Sequence, residues 1–472
     1  MDSIILNLNR NSSIPLYMQI YDHIKSEILS GHISHSEKLP SIRELSDNLN
    51  LSKTTITAAY EQLFMEGYIY SKPQSGFFVN KILIDNVDNY SSLKVALPVD
   101  SKEDAHIAAK KEYTDSTSFD FIQWKKCLNR VLNDYRDDLL IEPSPQGELL
   151  LRQEISKYVY QFRGVYCTPE DIVIGAGTQQ IMGLLTIILN RLNINHIAFE
   201  NPGYMPVQKI FLDNNFLISS LPIDSNGMDI MALKNSYANI AYVNPSNQFP
   251  TGTIIPISRR YELLKWASSN NYYIIEDDYN SELRYLGRPI PSLKGLDEDN
   301  RVVYIGSFSS TLIPSIKISY MILPKNILSK YMDTMANYTQ TCSKTEQLAL
   351  YLYMKEGHYQ KQIKKLRKLY SQKLQKITSL IQSKMKGKVN LMSNSYGAHV
   401  LLEIDTPFSS YELCERAEQV KVKATPLDKY TNGPVKSDKP IILLYHTKIP
   451  FESIDTAIDS LYKVWFLKCT SH

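Results

Sequence analysis

Residues 15–79 read PLYMQIYDHIKSEILSGHISHSEKLPSIRELSDNLNLSKTTITAAYEQLFMEGYIYSKPQSGFFV, and this stretch decides the fold of the N-terminal part of the chain. Apolar side chains recur every four positions in its first part, at Leu16, Ile20, Ile24 and Ile28. This spacing gives a helix one apolar face, so we predict a helix over residues 16–30. Gly31 is its natural stop, because glycine adopts the left-handed conformation without strain.

Two further helices are indicated by their start signals. Ser41 and Glu44 form a capping-box pattern, in which each side chain satisfies an unpaired amide at a helix start. This helix is expected to run to about Asn48. Ser52 caps the third helix, and Gly67 follows as its terminator. The apolar face of the third helix comprises Ile56, Ala59 and Leu63.

The segment GYIYSKPQSGFFVN, residues 67–80, predicts two short strands around a turn from Pro73 to Gly76. Three short helices followed by a hairpin are typical of a winged helix-turn-helix, and we assign it to residues 1–80. The whole of this stretch resembles the GntR-type winged helix. The resemblance implies that double-stranded operator DNA is a partner of this domain.

By the same resemblance, the DNA-facing residues are Arg43, Ser52, Lys53, Thr54, Thr55, Lys72, Gln74 and Gly76. Amides and hydroxyls at a helix N-terminus suit phosphate, and arginine or lysine reaches phosphates or guanine edges. Residues 1–80 nevertheless hold six Lys or Arg against eight Asp or Glu, so general attraction to DNA is weak. Similar helical trios also serve as protein-docking modules, which is the alternative for this domain.

The chain has 472 residues, a formal net charge of +3 and five scattered cysteines with no CxxC pair. A length of this kind predicts a small module joined to one large domain. The N-terminus lacks a secretory pattern, and no run approaches the roughly 18 apolar residues of a membrane span. We therefore expect a cytoplasmic protein with no membrane partner and no metal. Residues 81–112 are polar and without sustained period, which indicates a linker.

Over residues 113–472, apolar β-rich runs alternate with helical patterns, as in DIVIGA followed by TQQIMGLLTIILN. This alternation predicts an α/β domain with a mostly parallel sheet covered by helices on both faces. In such sheets ligands gather at the carboxyl ends of the strands. Residues that directly follow the strands therefore carry most of the functional information.

Several stretches of this domain resemble the fold type I aminotransferases, with a mixed, mostly parallel sheet and a smaller C-terminal subdomain. They include FDFIQWKKCLNRVL, ENPGY, VNPSNQFPTG, IIEDDYNSELRY and YIGSFSSTLIPSIKISYMILP. The combination with the N-terminal module resembles the MocR (GabR-like) subfamily of GntR regulators. The resemblance implies a pyridoxal phosphate pocket and a homodimer.

The pocket residues implied by this resemblance, here named the cofactor-like pocket, are Gly177, Thr178, Tyr204, Asn247, Asp277, Tyr279, Ser307, Ser310 and Lys317. Gly177, Thr178 and Ser307 would hold the phosphate, with Lys317 adding a charge. Tyr204 would stack on the ring, and Asp277 would pair with the pyridine nitrogen. The ring hydroxyl would face Asn247 and Tyr279. Taken one at a time, each residue also suits a purely structural role.

The family pattern fails at the residue that matters most for catalysis. Where the family has a Schiff-base lysine, the segment SFSS places Ser310, and a hydroxyl cannot form that bond. Lys317 stands where an arginine normally clamps the phosphate, which loses the bidentate fork. The segment IILLYHTK around Ile442 lacks the arginine expected to hold a substrate carboxylate.

The sequence thus predicts a DNA-binding regulator whose large domain senses a small-molecule effector and binds pyridoxal phosphate, if at all, only non-covalently. Two alternatives remain at this point. One is an active aminotransferase with an accessory DNA-binding module, which would need an amine at position 310 or a Schiff base on Lys317. The other is a DNA-binding scaffold whose large domain is inert.

Overall fold

A computed structural model describes residues 8–10, 12, 14–81, 115–284, 290–335, 338–392, 397–434 and 437–467. The chain separates into two compact units, Met1–His106 and Ile107–His472. The predicted linker, residues 81–112, lies outside the described residues except for Lys81. Within the described ranges, no helix combines the length and hydrophobicity needed to cross a membrane.

The first unit contains three helices and a hairpin: α1 (Leu16–Leu29), α2 (Ile42–Leu49), α3 (Lys53–Met65), β1 (Ile69–Lys72) and β2 (Gly76–Val79). The two strands pair antiparallel, with Ile69 opposite Val79. This is the predicted winged helix-turn-helix. Of the four residues predicted to form the apolar face of α1, Ile20, Ile24 and Ile28 are buried and Leu16 is partly exposed. Tyr60 is fully buried in the core of this unit, and its hydroxyl donates to the carbonyl of Pro40 at 2.9 Å.

The caps predicted from the sequence are present. The Glu44 amide donates to the Ser41 hydroxyl at 3.1 Å, and the Glu44 carboxylate accepts from the Ser41 amide. At the next helix start, the Thr55 amide donates to the Ser52 hydroxyl at 3.2 Å. Each cap satisfies amides that the helix itself leaves unpaired, so the two helices begin where the sequence predicted.

The second unit is built on an eight-stranded sheet. Its strands are β3 (Ile172–Gly175), β4 (His196–Asn201), β5 (Leu217–Asp224), β6 (Gly227–Met228), β7 (Ile240–Val243), β8 (Tyr273–Asp277), β9 (Val302–Ser307) and β10 (Ser319–Ile322). Their order is β3-β10-β9-β8-β7-β4-β5-β6. The central strands are parallel, whereas β10 runs antiparallel to both of its neighbours. The sheet is therefore mixed and mostly parallel, as predicted.

Helices cover both faces of this sheet, which is why its strands are continuous apolar runs. Those that precede or interleave with the strands are α4 (Phe121–Asp134), α5 (Arg136–Leu139), α6 (Leu149–Arg163), α7 (Thr178–Arg191), α8 (Met205–Asp213), α9 (Ile230–Asn235), α10 (Ile257–Asn270) and α11 (Leu293–Leu296). After the last strand come α12 (Lys325–Met335) and α13 (Lys344–Lys355).

A smaller C-terminal subdomain follows the long helix α14 (His358–Lys384). It contains a four-stranded antiparallel sheet of β11 (Val389–Leu391), β12 (Val400–Ile404), β13 (Ala424–Pro426) and β14 (Ile441–Leu444). Two helices pack on it, α15 (Ser410–Gln419) and α16 (Ile454–Phe466). The core of the subdomain also takes in Ile377 and Ile381 of α14.

Candidate functional site

The predicted DNA-facing residues of the helices are at the surface of the first unit. Arg43 is exposed on α2, and Ser52, Lys53 and Thr54 are exposed at the start of α3. The Ser52 hydroxyl lies 2.7 Å from that of Thr54 and 2.8 Å from that of Thr55. Three hydroxyls and the helix N-terminus therefore form one polar edge, an arrangement that suits phosphate oxygens.

The wing presents the remaining predicted residues. Lys72, Gln74 and Gly76 are all exposed, and the last two have positive φ angles of 59° and 101°. Lys38, which sequence reasoning missed, forms an isolated bridge with Phe78 of the wing. Its side chain lies next to Gly76, 3.5 Å from where a Cβ would be. Lys38 thus adds a cation to the wing through a contact between residues that are distant in sequence.

In the second unit, Gly177 forms the N-cap of the 14-residue helix α7, with a φ of 89°. The strand ends beside it bring hydroxyl groups together. The Thr178 hydroxyl lies 3.4 Å from that of Ser319, and Ser319 donates to the Ser307 hydroxyl at 2.9 Å. A helix N-terminus lined by hydroxyls is a favourable anion site, because unpaired amides and the helix dipole both attract negative charge.

Strand order explains why these groups meet. In the antiparallel pairing of β10, Ser319 is opposite Gly175 of β3 on one side and opposite Ser307 of β9 on the other. Ser319 was not predicted as a site residue. No local signal marks it, because its position follows from the antiparallel direction of β10.

Lys317 lies over the same helix start. Its Cδ is 3.6 Å from the place where a Cβ on Gly177 would be, and Lys317 itself has a positive φ of 49°. The side chain is exposed. The Lys317 side chain therefore passes beside the cup formed by Gly177, Thr178 and Ser307.

Asp277, at the carboxyl end of β8, is a buried carboxylate held by two donors. The Tyr242 hydroxyl donates to its Oδ2, and the Tyr279 amide donates to its Oδ1 at 3.2 Å. Burial raises the pKa of the Asp277 carboxyl to about 6, although both hydrogen bonds lower it. Such a carboxylate, at the end of a central strand, suits a protonated ring nitrogen of a ligand.

Tyr204 is the N-cap residue of α8 and is half-buried near Asp277. Burial raises the pKa of its phenol to about 12, and the negative charge of Asp277 adds to that rise. The Tyr204 ring makes an edge contact with Phe249, at 5.7 Å between centroids. Tyr279 is 38% exposed as a whole, whereas burial raises the pKa of its phenol and a hydrogen bond with the Asn280 side chain opposes that rise. Aromatic and acidic groups are thus gathered at one strand end.

Ser310 lies in the turn after β9, and its hydroxyl oxygen is buried with no hydrogen-bond partner. The neighbouring Thr311 contrasts with it, because the Thr311 hydroxyl is 3.0 Å from that of Tyr359. Residues present at the cup and at Asp277 fit the phosphate and the ring of pyridoxal phosphate. The group at position 310 does not fit a covalent link to its aldehyde, because an alcohol supplies no amine.

Asn247 is located differently from the other predicted pocket residues. It lines a cavity of about 270 Å³ that none of the other eight residues of the cofactor-like pocket lines. Its amide nitrogen would be 2.7 Å from a Cβ on Gly397 of the C-terminal subdomain. A role for Asn247 toward a ring hydroxyl remains a prediction.

Comparisons with known families match the two units of the chain separately. Residues 16–79 match the family described as bacterial regulatory proteins, gntR family. Residues 110–426 match aminotransferase class I and II. The two matches correspond to the winged helix and to most of the large unit.

Two relatives align with this chain over about nine tenths of both lengths. The uncharacterized HTH-type transcriptional regulator YdeL of Bacillus subtilis (strain 168) is 41% identical over 431 residues, which is 90% of this chain and 92% of the relative. The probable rhizopine catabolism regulatory protein MocR of Rhizobium meliloti is 27% identical over 440 residues, which is 90% of this chain and 89% of that one.

Among solved structures, the fold is similar to that of LysN, an alpha-aminoadipate aminotransferase from Thermus thermophilus complexed with N-(5'-phosphopyridoxyl)-L-leucine. The TM-score is 0.66 at 23% identity, covering 76% of this chain and 90% of LysN. At this identity the likeness concerns the fold. Together, the two domain matches and the full-length relatives show that the chain belongs to the MocR (GabR-like) subfamily of GntR transcriptional regulators, in which a winged helix is fused to an aminotransferase-like domain.

Proposed function

We propose that this regulator binds operator DNA as a cytoplasmic homodimer and that its large domain senses a small ligand without catalysing transamination. Occupancy of the large domain would change affinity for DNA, which requires the ligand to bind the DNA-bound and free forms unequally. The observation that carries the proposal is Ser310, which stands where the resemblance to aminotransferases predicts the Schiff-base lysine. Its buried hydroxyl has no partner.

We propose further that pyridoxal phosphate, which supplies an electron-withdrawing ring when bound, is held here only non-covalently. Gly177, Thr178 and Ser307 would bind its phosphate, and Lys317 would add one charge. Asp277 would hold a proton on the ring nitrogen. The Tyr242 hydroxyl donates to the Asp277 carboxylate and keeps it oriented. Lys317 lacks the two-pronged geometry of arginine, so we expect weaker phosphate binding than in a complete site.

The test is a search for a covalent bond. Purified protein is mixed with pyridoxal phosphate, reduced with borohydride and digested, and the peptides are analysed by mass spectrometry. We expect no pyridoxyl group on any lysine of the large domain in the wild-type protein. The Ser310→Lys variant is the positive control, since it restores an amine at the required place, and Ser310→Ala is the matched negative control.

A pyridoxyl group on Lys317 of the wild-type protein would overturn the proposal and favour an active aminotransferase. Dialysis separates the other outcomes. Non-covalent binding is supported if the protein shows the absorbance of bound pyridoxal phosphate at a low concentration of the compound and loses this absorbance on dialysis. A spectrum identical to that of the free compound, with no effect on DNA affinity, would overturn the cofactor part of the proposal.

A further inference from the structure

The cavity of about 270 Å³ that contains Asn247 lies between three elements of the large unit: the end of α6, the 3-10 turn Ser281–Leu283 and the first turns of α14. Gln360, Lys364 and Arg367 of α14 all line it. Their spacing of four and three residues places them on one face of the helix. Phe162, on the opposite wall, is 38% exposed, so the cavity opens to solvent.

Three residues around this cavity carry buried side-chain oxygens without a hydrogen-bond partner. They are Asn280 (Oδ1), Ser281 (Oγ) and Gln360 (Oε1). Asn280 is only 4% exposed. Buried polar atoms are nearly always paired in folded proteins, because an unpaired one loses its bonds to water and gains nothing in return. The three residues line one cavity, so a ligand there that carries N–H or O–H groups can pair with these oxygens once the side chains turn toward it.

The same cavity has an excess of cations. Arg163 is neutralised by its ion pair with Asp278, but Lys364 is exposed and Arg367 uses its Nε to donate to the Glu282 carbonyl at 2.5 Å. Burial raises the pKa of the Glu282 carboxyl to about 7, and the Asp278 charge adds to the rise. The Glu282 carboxyl is therefore only partly ionised near neutral pH, and Lys364 and Arg367 attract an anionic group.

We propose that this cavity is a second ligand site, which binds a free amino acid through its carboxylate at Lys364 and Arg367 and through its ammonium group at the unpaired oxygens of Asn280 and Gln360. The volume is close to the lower end of ligand pockets, about 300 Å³, which suits a molecule of that size. The site shares only Asn247 with the cofactor-like pocket, and its proposed contacts involve none of the other eight residues of that pocket.

Two consecutive carboxylates at the end of β8 have different partners. Asp277 is the last residue of β8, and Asp278 directly follows it. The Asp277 carboxylate accepts from Tyr242, whereas that of Asp278 accepts from Arg163, which lines the cavity. An amino acid in the cavity would therefore contact a different set of side chains from a ligand at Asp277.

The experiment measures thermal unfolding of the full-length protein, without added pyridoxal phosphate, in the presence of each of the common amino acids. Propionate and propylamine serve as probes that each carry only one of the two charged groups. We expect at least one amino acid to raise Tm, by mass action on the folded state, and the single-group probes to have much smaller effects. Isothermal calorimetry then gives Kd for the amino acid with the largest effect.

Two variants remove the proposed contacts, and one matched variant leaves them in place. Lys364→Ala deletes the exposed cation, and Gln360→Leu replaces the amide that carries the unpaired oxygen by an apolar group of similar size. Each is expected to weaken binding about tenfold or more, as for loss of a charge-assisted hydrogen bond. Lys365→Ala, the adjacent exposed lysine that does not line the cavity, should leave Kd unchanged.

Three results would overturn the second site: no amino acid raises Tm, the Kd is the same in Lys364→Ala and Gln360→Leu as in wild type, or the effect disappears in Asp277→Asn. The last result would locate the amino acid in the cofactor-like pocket and leave the proposed sensing function intact. Gln360→Leu removes a buried unpaired oxygen, so its Tm without ligand should equal or exceed that of the wild type. Because this variant is expected to fold, a loss of binding in it reports on the site.

Discussion

Arg163 and Asp278, 115 residues apart, form a buried two-pronged ion pair. The Nε of Arg163 donates to one carboxylate oxygen of Asp278 at 2.6 Å, and Nη2 donates to the other at 3.0 Å. The hydroxyls of Ser246 and Tyr304 also donate to this carboxylate, at 2.8 and 2.6 Å. The pair joins the end of α6 to the strand end that carries Asp277.

Removing one partner of this pair should strongly destabilise the large unit. We expect Arg163→Ala to lower the free energy of unfolding by about 3–5 kcal/mol, because it leaves the Asp278 charge buried and uncompensated. Urea denaturation followed by tryptophan fluorescence measures the change. The exposed pair Lys209–Asp213 is the control, and Lys209→Ala should cost less than about 1 kcal/mol. Equal effects of the two variants would contradict this view of the buried pair.

Asp277→Asn should make the protein more stable at high pH. Since the pKa of Asp277 is raised to about 6 in the folded protein, stability falls as pH rises from about 4 to above 6. The amide carries no charge, so the variant should gain up to about 3 kcal/mol at pH 8 and little at pH 4. Unfolding curves of both proteins across this pH range measure the difference between their free energies of unfolding. Other buried carboxyls contribute equally to both proteins, so their contributions cancel in this difference. A constant difference at all pH values would refute the assignment.

Ser310→Ala and Thr311→Val should differ in their effect on the free energy of unfolding. The Ser310 hydroxyl is buried and unpaired, so its removal should leave the free energy of unfolding equal or raise it by up to about 1 kcal/mol. The Thr311 hydroxyl lies 3.0 Å from that of Tyr359, and its removal should cost about 1 kcal/mol. Chemical denaturation of both variants provides the comparison. A clear loss of stability in Ser310→Ala would show that this hydroxyl has a partner in solution.

The start of α3 should contact DNA phosphates. With an operator selected from a random duplex library, Lys53→Ala should weaken binding and reduce the slope of log K against log salt by about 1. Fluorescence anisotropy at several salt concentrations measures both. Lys209→Ala, which removes one charge from the large unit, is the control and should change neither. An unchanged slope in Lys53→Ala would place the DNA contact elsewhere.

The elements of the winged helix could be predicted because their signals are local. The Ser41 and Glu44 capping box and the Ser52 cap act within three residues of a helix start, and the structure has both. The parallel strands that lead to Asp277 and Ser307 were also predictable as apolar runs, and so was the tendency of ligands to bind at their ends. The resemblance to aminotransferases was enough to recognise that Ser310 stands at the position of the Schiff-base lysine.

Other features depend on which distant segments become neighbours. Ser319 reaches Thr178, 141 residues away, only because β10 pairs with β3, and Arg163 meets Asp278 only when α6 packs on the sheet. The unpaired oxygens of Asn280 and Gln360 surround one cavity for the same reason. Short-range patterns specify helices, turns and strand ends, whereas contacts across 80 or more residues arise from strand order and packing, which no local pattern contains.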